Sequence, residues 1–143
     1  MNIVWLAWKD RGHPTAGGAE VVAHELMTRL VAAGHTVTLL TGGYTDPATG
    51  QPAPRHGTDP AGYHIVRTGN RLSTYLTTAW YYHRHRRQLA PQLVIDECNT
   101  VPYFARFYAG VRTIQLFHQL ARQIWFYEMP LPISVVGYLV EPL

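Results

Sequence analysis

Residues 5–30, WLAWKDRGHPTAGGAEVVAHELMTRL, decide the fold, because an apolar strand end, a glycine pair and an amphipathic helix follow one another there. Behind the glycines, Val22, Leu26 and Leu30 recur every four residues, with Ala23 and Met27 beside them, which is the apolar stripe of an amphipathic helix. The pair Gly17-Gly18 therefore lies at a helix N-terminus, where unpaired backbone N–H groups and the positive end of the helix dipole meet.

Two interpretations of this glycine pair follow from its position. Neither residue has a Cβ atom, so a bulky anion such as a diphosphate is able to approach the amides of the helix N-terminus. Alternatively, the glycines only allow the chain to turn tightly between the strand and the helix. The residues alone leave both interpretations open.

The segments that follow repeat the alternation of strand and helix. Gly34 is placed to end the first helix, and Thr36–Thr41 has the β-branched and apolar residues of a second strand. Two strands joined by a helix form a parallel βαβ unit with a right-handed crossover. We therefore predict one α/β domain over residues 1–143, with a Rossmann-like parallel β-sheet sandwiched by helices. The further predicted strands are Tyr63–Thr68, Leu93–Asp96 and Arg112–Phe117, and the further predicted helices are Leu72–Leu89 and Pro102–Ala109.

Two regions stand outside this alternation. Gly42–Gly62 is rich in Gly, Pro, Thr and Asp, and we predict a long loop there. At the C-terminal end we predict a short helix near Arg122–Tyr127 and a last helix from about Ser134 to Glu141. The last helix is apolar almost all round, and such a helix requires cover on every side. We therefore expect the chain to be part of a larger protein or to pair through this helix.

The composition of the chain and the absence of several known motifs reduce the number of functions that the sequence could have. The chain has 143 residues and a formal net charge of +3, which is ordinary for a globular domain. Its one cysteine, Cys98, excludes an internal disulfide framework, suits the reducing cytoplasm and is expected to be buried and inert. The sequence has no Walker loop, no G-x-G-x-x-G, no H-E-x-x-H and no paired CxxC, and its eight histidines are scattered, so we expect no metal site.

Residues 81–87, YYHRHRR, form a strongly basic stretch near the end of the second long helix. The favoured interpretation is a solvated helix end whose cations complement the helix dipole. The alternative is contact of Arg84, Arg86 and Arg87 with an anionic membrane surface, which would place the protein at the inner face of the membrane. We do not expect nucleic-acid binding, because no recognisable reading motif accompanies the patch.

Polar residues follow two of the predicted strands. Glu97 and Asn99 come after the strand that begins at Leu93, and His118 follows the strand that begins at Arg112. Carboxyl ends of parallel strands lie at one edge of a sheet, where open α/β sheets bind ligands, so we expect these residues near the glycine pair. A histidine in the position of His118 more often has a structural role than a catalytic one. Asp96, at the end of the predicted strand that Glu97 follows, could simply cap a helix or a turn.

The order of these motifs resembles the N-terminal domain of glycosyltransferase family 4. The resemblance covers nearly the whole chain and rests on GGAE at 17–20, AAGHTVT at 32–38, E-x-N-T-x-P at 97–102 and FHQL at 117–120. Enzymes of that family have the GT-B architecture, in which two Rossmann-like domains face each other across a cleft. They transfer a sugar from a nucleotide-sugar with retention of anomeric configuration and without a bound metal.

The resemblance implies roles for individual residues. His118 would be catalytic, close to the donor sugar, and Gly17 and Gly18 would bind the donor diphosphate. Acceptor or cleft residues would be Glu97, Asn99 and Arg122, together with the segment Gly42–Gly62. The family's C-terminal domain, which holds most of the nucleotide-sugar, is the implied partner and is missing from this sequence. We therefore expect an acceptor-side domain that is inactive alone and requires no cofactor.

Two other functions remain open on the residues themselves. The glycine turn is also compatible with a stand-alone Rossmann-like or flavodoxin-like module that binds a phosphorylated ligand. The apolar end, Ile133–Leu143, is compatible with a non-catalytic domain that binds a protein partner. Nothing in the sequence identifies the sugar, the nucleotide or the acceptor.

Overall fold

The computed structural model describes residues 1–70, 73–99, 101–118, 125–128 and 130–140. The described strands form one six-stranded sheet in the order β3-β4-β2-β1-β5-β6, in which β3 pairs antiparallel with β4 and the other pairs are parallel. Along the chain the elements are β1 (Asn2–Leu6), α1 (Gly18–Ala32), β2 (Thr36–Gly42), β3 (His56–Thr58), β4 (His64–Thr68), α2 (Thr74–Leu89), β5 (Leu93–Cys98), a 3-10 turn (Ala105–Phe107), β6 (Arg112–Phe117), α3 (Trp125–Glu128) and α4 (Leu131–Val140).

The two long helices cover opposite faces of the sheet. On one face Ala23 and Met27 of α1 pack on a row of side chains that crosses four parallel strands, formed by Ile65, Leu39, Trp5 and Ile95. On the other face Tyr81 and Tyr82 of α2 pack on a second apolar cluster, which includes Val4, Leu6, Leu40, Val66 and Val94. Apolar residues on both faces of the central strands are typical of a covered parallel sheet. The predicted α/β sandwich is therefore confirmed.

The predicted apolar stripe of α1 is right in part, because Ala23 and Met27 are buried and Leu30 packs against the same core, but Val22 and Leu26 do not face it. Its buried residues are Glu20, Ala23 and Met27, whereas Val22 and Leu26 are exposed. The helix is therefore rotated relative to the predicted stripe, so that Ala23 and Met27 rather than Val22 and Leu26 face the sheet. Gly34 ends this helix with a φ of +83°, in the left-handed region that glycine adopts without strain, as the sequence predicts.

The predicted loop over Gly42–Gly62 is also wrong in part, because β3 lies within it. His56–Thr58 pairs antiparallel with β4, and an isolated bridge joins Thr45 to Pro52. The three residues of β3 are exposed, so they show no apolar pattern that would reveal a strand. The sheet therefore has six strands rather than the five predicted from the sequence.

The helix predicted over Pro102–Ala109 is reduced to the 3-10 turn. The buried carboxylate of Asp96 accepts the backbone N–H of Tyr103 at 2.8 Å and that of Ala105 at 2.9 Å. Phe104, between them, has a φ of +56°, which lies outside the right-handed helical region. Asp96 thus holds a compact loop, in agreement with its predicted alternative role as a cap, and prevents a regular helix.

The second long helix and the C-terminal helices expose apolar side chains. On α2 the apolar side chain of Leu76 is exposed, and the residues buried on this helix are Thr74, Thr78, Tyr81 and Tyr82. In the C-terminal part, α3 and α4 pack together through the rings of Phe126 and Tyr138. Among the side chains of α4 that the structure describes, Leu131, Ile133, Val135 and Val136 are exposed.

Candidate active site

The carboxyl ends of β1, β5 and β6 open onto a shallow cleft of about 600 Å³. The cleft brings together four residues that the sequence singles out, namely Gly17, Gly18, Asn99 and His118. It is also lined by Trp8, Lys9, Thr15, Ala19, Glu20 and Val22. The predicted meeting of these segments at one edge of the sheet is therefore observed, although the roles of the residues remain predictions.

The glycine turn presents open backbone to this cleft. The N–H of Gly17 donates to Glu20 Oε2 at 2.6 Å, so this amide is engaged within the chain. The amide of Gly18 has no hydrogen-bond partner among the described residues, as expected for the first turn of a helix. A Cβ atom added at Gly18 would meet nothing within 4 Å, and one at Gly17 would make only an ordinary contact. Packing within the chain therefore does not require glycine at either position.

Glu20 is a buried carboxylate at the N-terminus of α1. Besides the Gly17 amide, it accepts a hydrogen bond of 3.3 Å from Asn99 Nδ2, which ties the helix N-terminus to the end of β5. The helix dipole stabilises a negative charge at this position. Asn99 is thereby held at the cleft surface by the element that carries the glycine pair.

His118 lies directly after β6 and is fixed from below by Glu97. Its Nε2 lies 2.9 Å from Glu97 Oε1, and the two side chains are 12% and 2% exposed. Glu97 Oε2 accepts the indole N–H of Trp5, a residue of the core row. Glu97, predicted as an acceptor or cleft residue, is therefore buried beneath His118, and it is not among the residues that line the cleft.

Burial raises the pKa of the Glu97 carboxyl above its ordinary value, while the Trp5 indole and the His118 ring act in the opposite direction. Burial likewise raises the pKa of the Asp96 carboxyl, against the effect of the Tyr103 and Ala105 amides. Removing a charged carboxylate from water disfavours its ionised form. The two acidic residues of β5 thus have similar burial but different partners, a histidine for Glu97 and a backbone loop for Asp96.

Lys9 is a cleft residue that the sequence did not single out. Its ammonium group donates to the backbone carbonyl of Thr15 at 3.1 Å and lies 4.5 Å from the centre of the Trp8 ring. The loop that carries it is anchored by Asp10, whose buried carboxylate pairs with Arg67 Nε of β4 at 2.7 Å. The signal that could have found Lys9 is its position between a strand end and the glycine pair.

A second opening lies along the same edge of the sheet, beyond β2 and β4. It has a volume of about 490 Å³ and is lined by residues that include Tyr44, Arg55, Arg67, Asn70 and Trp80. A smaller opening between the two, with a volume of about 320 Å³, shares Lys9 with the first cleft and Gly43 with the second. The carboxyl edge thus carries a continuous series of openings.

The remaining predictions concern Arg122, metal ligands, Cys98 and membrane-spanning helices. Arg122, predicted at the acceptor site, lies outside the described residues. Within the described ranges, no three His, Cys, Asp or Glu side chains converge in a way that would hold a metal ion. Cys98 is buried and not in a disulfide, as the sequence predicts. None of the helices that the structure describes is long and apolar enough to cross a lipid bilayer.

Comparison with known proteins agrees with the predicted family and with the fold. The model of Glycosyltransferase Family 4 matches residues 16–136, a range that contains the glycine pair and His118. Among solved structures, the fold is similar to that of sucrose-phosphate synthase from Thermosynechococcus elongatus, with a TM-score of 0.63 and 17% identity over 89% of this chain. The match covers 35% of that enzyme's chain, so the present chain spans about a third of its length. No curated protein matches the sequence.

The structural likeness supports the Rossmann-like sheet of a GT-B glycosyltransferase, and the family match extends over most of the chain. The chain therefore belongs to glycosyltransferase family 4.

Proposed function

We propose that this chain is the N-terminal, acceptor-side domain of a retaining glycosyltransferase that transfers a sugar from a nucleotide-sugar donor. The observation that carries the proposal is the shared cleft, in which the open amide of Gly18 and the ring of His118 border the same space. Catalysis would require a C-terminal nucleotide-binding domain that closes over this cleft and excludes water from the donor.

The cleft offers the charge stabilisation that the reaction requires. When the sugar leaves the donor, negative charge develops on the departing diphosphate. The N–H of Gly18 at the positive end of α1 and the ammonium group of Lys9 are donors already in place for that charge. With these groups present we propose that no metal is required, and turnover should then be unchanged by EDTA.

The acceptor would bind along the remaining openings of the same edge. Trp80 is an exposed aromatic side chain beside the second opening, and Arg55 and Asn70 add polar groups to it. An aromatic surface with nearby hydrogen-bonding groups suits a saccharide or another hydroxyl-bearing molecule. This arrangement keeps the acceptor on the domain described here and leaves the nucleotide to the partner domain.

The test is donor turnover by this chain when it is supplied with a C-terminal nucleotide-binding domain of the family. We expect His118→Ala to lower turnover by about 100-fold or more, as for loss of one preorganised polar group. Gly18→Val should also lower turnover by filling the approach to the helix amides. Control variants are His83→Ala on the exposed face of α2 and Gly57→Val on β3, where a Cβ meets only the far end of Arg67. Unchanged turnover in both site variants would contradict the site assignment.

An anionic membrane surface is the proposed peripheral partner. Along α2 the exposed residues Leu76, Trp80, Arg84 and Arg87 follow one another at helical spacing, with apolar groups first and cations last. Such a stripe suits the interface of an anionic bilayer. Arg86, in contrast, donates to the Gly110 carbonyl at 3.1 Å and is engaged within the fold.

Co-sedimentation with vesicles tests this partner. The chain should bind vesicles that contain phosphatidylglycerol and not purely zwitterionic ones, and the double variant R84A/R87A should lose the binding. Arg29→Ala on α1, which removes an exposed cation from the helix on the other face of the sheet, is the control. Equal binding by the double variant and the control variant would exclude this stripe as the contact.

A further inference from the structure

The buried pair under the cleft determines how His118 presents its ring. Nε2 of His118 faces Glu97 Oε1 at 2.9 Å, and this is the hydrogen bond that its ring makes among the described residues. Since His118 borders the cleft, Nδ1 is the nitrogen left for a ligand. The chemistry available to the ligand therefore depends on which nitrogen carries the proton.

The partners of Glu97 decide where that proton lies. An indole N–H is a donor only, so Glu97 Oε2 must act as an acceptor toward Trp5. Imidazole is ordinarily more basic than a carboxylate, so the proton between Glu97 and His118 belongs on Nε2. Each carboxylate oxygen then accepts one hydrogen bond, and neither the carboxylate nor the imidazole ring is free to rotate.

We propose that Glu97 is a positioning residue which, anchored by Trp5, keeps His118 protonated at Nε2 so that Nδ1 presents a hydrogen-bond acceptor to a sugar hydroxyl in the cleft. The identity of the hydroxyl-bearing ligand rests on the proposed function, whereas the position of the proton does not. Burial supports this arrangement of hydrogen bonds, because as whole residues Trp5 is 1% exposed and Glu97 is 3% exposed, so water does not compete for them.

Glutamine at position 97 makes the proposal directly testable. A glutamine side chain carries one acceptor oxygen and one donor nitrogen. Because the Trp5 indole donates, the oxygen of the new amide must face Trp5 and its NH2 group must face His118 Nε2. Nε2 would then accept, and the proton of the neutral ring would move to Nδ1. Glu97→Gln should therefore reverse the hydrogen-bonding polarity that His118 shows to the cleft.

Nitrogen-15 spectra of the histidine-labelled chain distinguish protonated from unprotonated ring nitrogens. We expect Nε2–H with a bare Nδ1 in the unmodified chain at neutral pH, and Nδ1–H with a bare Nε2 in Glu97→Gln. The double variant W5F/E97Q removes the indole donor, so the amide is free to turn and Nε2–H should return. A protonated Nδ1 in the unmodified chain, or an unchanged proton position in Glu97→Gln, would overturn the proposal.

Turnover measured with the supplied C-terminal domain separates this proposal from the function on which it builds. A hydroxyl can also accept a hydrogen bond, so the reversed polarity of His118 should weaken this contact rather than abolish it, and turnover should fall by about 10-fold in Glu97→Gln, with partial recovery in W5F/E97Q. If the spectra change as expected while turnover does not, the positioning of His118 stands and its proposed catalytic role fails. If turnover falls while the proton stays on Nε2, Glu97 acts in another way and the proposal fails.

Discussion

Ile95 and Ile114 are neighbours in one row of the sheet, on the adjacent parallel strands β5 and β6, yet they have different surroundings. Ile95 is 8% exposed and belongs to the core cluster that α1 covers, whereas Ile114 is 45% exposed on the edge strand of the sheet. The two residues have the same side chain and the same strand geometry. The comparison teaches that cover by a helix, rather than residue type, decides what an apolar strand position contributes.

The next row repeats the contrast with polar residues. Asp96 of β5 is buried and binds two backbone amides, while its neighbour Gln115 on β6 is exposed. The two strands therefore differ along their length and not at one position only. Parallel sheets are ordinarily covered on both faces, so β6 is the strand that we expect a partner domain or a further segment to cover.

The largest effect on stability should come from the row of the sheet that contains Ile95 and Ile114. Ile95→Ala removes buried apolar volume and should lower the free energy of unfolding by about 2–5 kcal/mol. Ile114→Ala makes the same chemical change on β6 and should cost less than about 1 kcal/mol, because the side chain is already half in water. Urea denaturation of both variants measures the difference. Equal losses would mean that β6 is covered in solution.

An intermediate effect is expected from Asp96, and it should depend on pH. Asp96→Asn replaces one of two acceptor oxygens by a donor and should cost about 1–3 kcal/mol at the loop that carries Tyr103. Because burial raises the pKa of Asp96 in the folded chain, the folded state binds the proton more tightly than the unfolded state. Its contribution to stability is therefore present at low pH and is lost as pH rises above the ordinary value of 3.8.

Urea denaturation between pH 4 and 7 checks this pH dependence. The variant Asp96→Asn should lack the part of the decline in stability that Asp96 causes, so the gap between the two proteins should narrow as pH rises. Asp46→Asn, in the loop after β2, is the control and should follow the unmodified chain. A gap that widens with rising pH would show that the two amides outweigh burial.

The smallest effect on stability should come from Phe117 at the end of β6. Phe117→Ser removes an exposed apolar group and should change the free energy of unfolding by less than about 1 kcal/mol. It should reduce self-association, since exposed apolar surface near a free strand edge promotes contacts between chains. Analytical ultracentrifugation measures this, with Leu76→Ser on α2 as the control. Unchanged association would exclude the β6 edge as the contact.

Much of the fold could be predicted from the sequence because strand composition and turn residues carry strong local signals. The strand Arg112–Phe117 has the predicted bounds, and the sheet places the glycine pair and His118 around one cleft. The predictions that were wrong concern features that depend on packing in the folded chain. Which of the apolar residues of α1 face the sheet is decided by packing in the folded chain, and β3 is exposed and too short to show a pattern.

The location of the candidate site could be predicted from the sequence, but the hydrogen bonds between its residues could not. Strand ends indicated that Glu97 and His118 would be near each other, but no local pattern could predict that Trp5 of β1 holds the carboxylate. That contact joins residues far apart in the sequence and arises only when β1 and β5 pair. The engagement of the Gly17 amide by Glu20 was likewise not predicted.

The empty space around the glycine pair has a practical consequence for engineering. Since a Cβ at Gly17 or Gly18 meets no crowding atom of the chain, a screen that scores folding alone would accept alanine or serine there. Under the proposed function, a screen that scores sugar transfer should discard the same substitutions. Under that function, folding and activity would constrain this turn separately, and a variant library selected for stability alone would lose the proposed donor contact.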